Sequence, residues 1–357
     1  MLITFLGSDH SDVHQIYNGT VLRGFCASMK SHCIDALNAM EDVAHVEKVV
    51  TVSTTNVRQQ ATWGLNRLSS VDPVLGKGSP KRLEFNYNYP DGDSLGGGVD
   101  VYVVDTGVNT EHVAFGGRAN LHSYLSSQED DNGHGTHVGG TATGAVFGVA
   151  SGANLWGLKV LDSSGSGPSS TTMQAIVDII EIHNRKKSMP GFKGSVINMS
   201  FNLQRSAALN AAVEAAMENG IHAIIAAGNE ATDACSFSPA SLGGSRGNAI
   251  TVGSVGITES ISRFSNTGSC VDLYAPGENV VSAWMGGPNV VNAIDGTSMA
   301  TPHVTGLVAY HIARKPELAQ DPVAMKAFIM STTISGQLSG NPNPGDSMLL
   351  ANNGFRG

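Results

Sequence analysis

The chain is short of cysteine, of long apolar runs and of charge blocks, and each shortage narrows what it can do. Four cysteines in 357 residues, none in a Cys-x-x-Cys pair, argue against a zinc ribbon or a redox dithiol. Cys26 and Cys33 lie in the N-terminal part. Cys235 and Cys270 lie in the C-terminal part, where a bridge is open to them in an oxidising compartment. No apolar run reaches the ~18 residues of a membrane span. The net charge is −9 with no block of one sign, so neither nucleic acid nor an anionic membrane is expected as a partner. The start, Met1 to Gly7, has no basic segment and is too short for a signal peptide; it reads as a strand. Either the protein is cytosolic or its targeting segment is not part of this chain. What the chain does have is 41% hydrophobic residues against 14% charged ones, enough for a sizeable core, and 43 glycines, which imply tight turns and functional loops. The length suits one large domain with a small one beside it.

In chain order, residues 1 to about 53 read as a small α/β unit. A turn leads into a strand near Phe25, a helix spans Ser31 to Met40 with Ile34, Leu37 and Met40 on one face, and a strand runs from His45 to Val52. Ser53 to Gln60 is polar without periodicity and is expected to be a linker. Ser70 to Leu95 is rich in Gly, Pro and Asn and reads as a long surface loop. Beyond it, apolar runs suggest strands at Val99–Asp105, Asn154–Leu161, Gly194–Ser200, Ile221–Ala227, Ala249–Val255 and Val271–Ala275. They alternate with helical patterns at Thr171–Asn184, Ala207–Asn219 and Pro322–Met330. Such alternation predicts an α/β fold, a doubly wound and mostly parallel sheet with helices on both faces. The expected division is 1–55 and 56–357.

Three groups stand at element ends among small residues: Asp105 in Asp-Thr-Gly, His134 in His-Gly-Thr-His, and Ser298 in Gly-Thr-Ser-Met-Ala. A serine hydroxyl is a poor nucleophile at neutral pH. It needs a histidine to take its proton and a carboxylate to orient that histidine and stabilise its cation. Ser298 precedes a helix-compatible run, so the unpaired N–H groups of the helix start would face the charge that develops on acyl transfer. Pro302 is expected in the first turn of that helix. Asn229, after the apolar run Ile221–Ala227, offers an amide that, with the Ser298 N–H, forms a candidate oxyanion site. Two rival readings stay open: a catalytically dead binding protein, and a metallohydrolase using His134, His137 and Asp131.

The motifs Val104-Asp-Thr-Gly107, Asn132-Gly-His-Gly-Thr-His137, Ala227-Gly-Asn229 and Gly296-Thr-Ser-Met-Ala-Thr-Pro-His303 resemble those of the subtilisin-like serine proteases over nearly the whole chain. Within that family the chain is similar to the proteinase K branch, and most to the fungal cerevisin-like (vacuolar proteinase B) enzymes. Trp63-Gly-Leu65, Gly191-Phe-Lys-Gly-Ser195, Asp233-Ala-Cys235, Ser238-Pro-Ala-Ser241 and Cys270-Val-Asp-Leu-Tyr-Ala-Pro276 carry this. The resemblance implies a serine endopeptidase acting on polypeptides, made as a self-processing zymogen. Its first residues would be an inhibitory propeptide, and the enzyme would be monomeric and secreted or vacuolar. It makes His134 the base and gives His137 a packing role. It makes Gly165, Ser166, Gly167, Ser200, Phe201 and Asn202 the edges that pair with an extended substrate. Ala226, Ala227 and Gly228 become a wall of the primary pocket.

The chain departs from the family pattern at Ser200-Phe-Asn-Leu203, where Ser-Leu-Gly-Gly is usual, so side chains enter the pocket mouth. Asp295 replaces a usual Ser and adds a negative charge near the site. Val138 stands where many relatives carry a cysteine. No cofactor is expected for the chemistry. Asp272 matches a calcium-ligating aspartate of the proteinase K branch, which implies a structural calcium with carbonyl partners around Ser245 to Ala249.

Overall fold

In a computed structural model of the chain, residues 12–49, 56–90 and 94–356 are described. Contacts between α-carbons divide the chain into two compact units, 1–54 and 55–357.

The first unit holds an antiparallel hairpin, β1 (Val13–Asn18) with β2 (Arg23–Ala27), and one helix, α1 (Ser31–Asn38). The hairpin turn lies at Gly19 to Leu22, and α1 ends two residues before the expected Met40. The strand expected over 45–52 is not seen at 45–49, which is irregular, with Val49 exposed. Residues 50–52 and the strand expected at Met1–Gly7 lie outside the described residues.

The second unit is built on a seven-stranded parallel sheet. Its strands are β5 (Val99–Asp105), β6 (Ala119–Ser123), β7 (Asn154–Lys159), β8 (Gly194–Met199), β10 (His222–Ala226), β12 (Ile250–Val255) and β13 (Leu273–Pro276). The spatial order is β13-β12-β10-β8-β5-β7-β6; outside it the short strands β9 (Leu203–Gln204) and β11 (Phe237–Ser238) pair antiparallel. The chain starts at β5, moves outward to β6, returns to β7, and then crosses to β8 on the other side. The order therefore reverses at the carboxyl end of β5, where open parallel sheets carry their ligand crevice.

Alternation along the strands serves two cores. Val99, Val101 and Val103 face one side, where they pack with α3 (His134–Thr143) and α6 (Thr297–Arg314) through Val138, Ala142, Leu307 and Val308. Tyr102 and Val104 face the other side, against α4 (Ser169–Lys186) and α5 (Ala207–Glu218) through Ile176, Ile179, Leu209 and Val213. Each such aliphatic side chain contributes about 1.5–3 kcal/mol on burial, more than an exposed ion pair such as Arg185–Glu181 can. Side chains cap three of the α-helices: Thr62 Oγ1 accepts from Leu65 N at 3.3 Å before α2 (Trp63–Leu68), Ser206 Oγ accepts from Leu209 N at 3.3 Å, and Asp321 Oδ1 accepts from Ala324 N at 2.9 Å before α7 (Pro322–Thr332).

Two loop expectations are corrected. Of the supposed linker 53–60, residues 56–60 belong to β3 (Asn56–Ala61), which pairs antiparallel with β4 (Phe85–Tyr89) inside the supposed loop 70–95. The physical reason is that this hairpin is mostly solvent-facing. Of β3 only Ala61 is buried, while Phe85 and Tyr87 anchor β4 in the core. Cys235 and Cys270 form a disulfide, with α-carbons 5.3 Å apart, while Cys26 and Cys33 are free. No helix among the described residues is long and apolar enough to cross a membrane.

Candidate active site

Asp105 is the last residue of β5 and is fully buried. Its Oδ1 accepts from His134 Nδ1 at 2.8 Å and from the Thr106 N–H at 2.7 Å. An ionised carboxylate only accepts, so the imidazole proton sits on Nδ1 and Nε2 is the nitrogen with a free lone pair. His134 opens α3, its side chain 27% exposed. Burial acts to lower its pKa, but the charge and hydrogen bond of Asp105, helped by Asp130, outweigh it, and the value is raised above 6.5.

Gly135 has to be glycine because a Cβ there would strike the Gly107 carbonyl, so α3 starts directly against the β5 turn. Asp130 clasps the same junction. Its Oδ1 accepts from Thr106 Oγ1 at 2.9 Å and Gly133 N at 2.8 Å, and its Oδ2 accepts from Thr136 N at 2.9 Å. Thr106 Oγ1 in turn accepts from Gly135 N at 2.9 Å. Asp130 thereby takes up helix-start donors that would otherwise go unpaired. Reading the sequence did not single it out; its signal was a carboxylate four residues before His134.

Ser298 is the second residue of α6 and is 8% exposed. Gly296, before the helix, has φ +154°, which a side chain resists. Pro302 lies in the second turn of α6, not in the first as expected. The helix begins as early as Thr297, which shifts the count. Having no N–H, Pro302 leaves the Ser298 carbonyl without its intrahelical donor. Ser200 Oγ fills that gap, donating to the Ser298 carbonyl at 2.9 Å, and Ser298 Oγ donates back to the Ser200 carbonyl at 2.9 Å. This reciprocal pair ties the start of α6 to the end of β8. It also commits the one hydroxyl proton of Ser298 to Ser200, so the Ser298–His134 hydrogen bond is not made in this arrangement. Helices α3 and α6 pack against one another, with both side chains in their first turns.

Asn229 follows β10 and is exposed. Its Oδ1 accepts from both Thr297 N and Thr297 Oγ1 at 2.9 Å. With the oxygen held on that side, the Nδ2 donors face away from Thr297. Thr297 also takes the Gly228 N–H on its hydroxyl at 3.2 Å, so it seats the Ala226-Ala-Gly-Asn229 turn against the nucleophile's helix. Ala226 and Ala227 are buried at the end of β10. Across from them, Phe201 packs partly buried on the second core, and Asn202 Nδ2 donates to Glu230 Oε2 at 3.0 Å. That bond joins the two edges, 200–203 and 226–230, that flank Ser298. A Cβ on Gly228 would collide with Asn202, Asn266 and Glu230, so this face of the gap is filled by polar side chains.

Gly165, Ser166 and Gly167 lie in an exposed loop after β7. Asp162 Oδ1 builds the loop by accepting from Ser164 N at 2.8 Å and Ser166 N at 3.2 Å, and hydrogen bonds from Ser164 and Ser166 lower its pKa. Asn132, two residues before His134, donates to the Ser163 carbonyl at 2.9 Å and fastens the loop beside the histidine.

A model of the subtilase family matches residues 96–355. The chain belongs to the subtilase family. It is a subtilisin-like serine endopeptidase. Subtilisin-like serine protease Pen ch 18 of Penicillium rubens is 39% identical over 360 residues, covering 96% of this chain and 70% of that protein. Alkaline protease 2 of Aspergillus fumigatus is 39% identical over 352 residues, covering 93% and 69%. The crystal structure of a cold adapted subtilisin-like serine proteinase aligns with a TM-score of 0.69 at 35% identity, covering 83% of this chain and 99% of that one.

In this subtilase the remaining histidine of the motif is turned away from the chemistry. His137 is buried, is bonded through Nε2 to the Val280 carbonyl at 2.9 Å, and is held neutral by burial with a pKa of about 3. Asp131 is paired with Lys159 at 2.6 Å, and that hydrogen bond lowers its pKa. The metallohydrolase reading required His134, His137 and Asp131 to converge, and they do not. Among the described residues no group of three or more His, Cys, Asp or Glu is set to hold a metal. Asp295 accepts the Asn279 N–H at 2.5 Å, across the open end of the antiparallel pair Val280–Ala283 and Val291–Ile294. Val138 is buried in the first core.

Asp272 lies elsewhere, just before β13 and so at the amino ends of the parallel strands, opposite the triad. It is 4% exposed and paired with Lys326 of α7 at 2.8 Å. Burial raises its carboxyl pKa, opposed by Lys326 and by hydrogen bonds from Thr251 and Gly244. The carbonyls expected around Ser245 to Ala249 are there, but they face the lysine: Lys326 Nζ donates to Gly244 O at 2.7 Å, Gly247 O at 2.9 Å and Ala249 O at 2.9 Å. A calcium ion does not fit among these oxygens while that ammonium lies between them.

Proposed function

We propose that Ser298 attacks the scissile carbonyl of a polypeptide, with His134 Nε2 taking the hydroxyl proton. Asp105 holds His134 in the Nδ1–H tautomer and stabilises the imidazolium. Asn229 Nδ2 and the Ser298 N–H hold the tetrahedral oxyanion. His134 then hands the proton to the leaving amine, and water, activated by the same imidazole, hydrolyses the acyl-enzyme. The observation that carries this reading is the 2.8 Å Asp105–His134 contact at the carboxyl end of β5, with Ser298 on the helix packed against that of His134. Rotation of the Ser298 hydroxyl off the Ser200 carbonyl towards Nε2 completes the relay. Apo hydrogen bonds of this kind often form only once substrate is bound.

Substrate would lie extended along Ser200–Asn202 and Gly165–Gly167, its side chain directed between Phe201-Asn202 and Ala226-Ala-Gly228. The Asn202–Glu230 bond makes that gap narrow and polar-lined. Residues 1–55 act as the propeptide of a self-processing, monomeric zymogen, a role the separate compact unit 1–54 supports. The Cys235–Cys270 bridge supports an oxidising compartment, secreted or vacuolar. The chemistry needs no cofactor.

The test is Ser298→Ala in the full chain. Peptide cleavage should vanish, and the N-terminal segment should remain attached in the purified protein. Segment removal that persists in that variant would refute self-processing. Residual peptide cleavage at the wild-type rate would refute the assignment of Ser298.

A further inference from the structure

Lys326 is an unusual lysine: its side chain is only 14% exposed, and its ammonium is surrounded by four protein oxygens. They are Asp272 Oδ1 at 2.8 Å and the carbonyls of Gly244, Gly247 and Ala249 at 2.7, 2.9 and 2.9 Å. One carboxylate and several converging carbonyls are the donor set of a hard-cation site. The spacing, however, suits N–H···O bonds and exceeds the 2.3–2.6 Å of calcium–oxygen contacts. A divalent ion brought to the same point would also meet a full positive charge at contact distance.

The cage comes from three parts of the chain. The loop before β12 supplies the carbonyls, the residue before β13 supplies the carboxylate, and α7 supplies the cation. The loop needs the clamp. A Cβ on Gly243 or Gly244 would collide with the carbonyls of Cys270 and Ser269, so two backbone segments approach closely here. Within the loop, the carbonyls of Gly244, Gly247 and Ala249 converge on one point and repel one another unless a cation lies between them. Asp272 holds the loop from its N–H side, accepting from Gly244 N at 3.1 Å, but a carboxylate cannot satisfy the carbonyls.

We propose that the Lys326 ammonium is the resident cation of this oxygen cage, so that the loop 243–249 is held without metal. Shortening Lys326 would then turn the cage into a calcium site. The ammonium is covalently attached, so no chelator removes it and no calcium concentration governs it. Its three protons are shared among four oxygens, and calcium with added waters meets the same set once the side chain is withdrawn.

The test follows thermal unfolding of the full chain carrying Ser298→Ala, which removes self-digestion and makes the readout independent of catalysis. The parent should have the same Tm in excess chelator and in calcium. Lys326→Ala should unfold about 5–10 °C lower in chelator, because it strands a buried carboxylate. It should regain roughly 5 °C when calcium is about a hundredfold above its Kd. That gain should disappear when Asp272→Asn is added. Lys326→Ser, a second shortened side chain with a hydroxyl that can meet the loop or a water, should respond in the same direction if the alanine variant folds poorly. A calcium-dependent Tm in the parent that is lost with Asp272→Asn would overturn the proposal. So would the absence of a calcium response in both lysine variants, or the failure of both to fold in calcium.

Discussion

His134 is pulled in two directions. Burial favours the neutral ring, while Asp105 and Asp130 favour the cation, and the carboxylates prevail, so the pKa is raised above 6.5. A base must be neutral to accept the Ser298 proton. The rate should therefore fall as pH drops through that raised value, and kcat/KM against pH should show an acid limb with its inflection above 6.5. An inflection well below 6.5 would mean that Asp105 is not acting on the ring. The stability sign is separate. The charged His134–Asp105 pair contributes stability that is fully present below the unfolded-state pKa and is lost as pH rises through the folded one. Acid thus preserves this contact while switching off the base. Asp105, His134, Ser298 and Asn229 were legible because each stands among small residues at an element end. Asp130, Thr297 and Lys326 were not, because their work is to accept or donate to backbone groups brought near only by folding.

At the scale of elements, the reader of function is the pair of edges flanking Ser298. Asn202 stands where the family pattern has glycine, and its amide reaches Glu230 at 3.0 Å. Asn202→Gly removes the side chain that joins the edges and widens the gap. It should raise kcat/KM for substrates with bulky residues at the cleaved bond, on the order of tenfold over small ones. A side-by-side peptide series checks this, and an unchanged ranking would show that Asn202 does not border the pocket. The buried parallel strands were legible as apolar runs because both of their faces are covered, as at Val99–Asp105 and Ile250–Val255. The β3–β4 hairpin was not, because Asn56–Ala61 buries only its last residue and carries no apolar alternation. The segment at His45 misled because an apolar run marks a strand only where a face is covered, and of the described residues 45–49 only Val46 is as much as half-buried. Pro302 was assigned one turn too early because sequence does not reveal that α6 begins at Thr297.

At the scale of the molecule, the two ends of one parallel sheet carry different tasks. The carboxyl end gathers Asp105, His134 and Ser298 at the point where strand order reverses, and the amino end holds the Asp272–Lys326 cage. The sheet is what relates them: seven strands in a single direction set all the catalytic loops on one side. Subtilase membership fixes the enzyme class. Whether this chain's own serine is activated is the central claim, and a binding protein built on the same fold would lack that property. Reaction with a fluorophosphonate probe, followed by mass spectrometry of the peptides, tests it most directly. One phosphonyl adduct is expected, on Ser298, formed at native pH and lost in His134→Ala. A folded protein that gives no adduct, or one that survives loss of His134 at full rate, would contradict it.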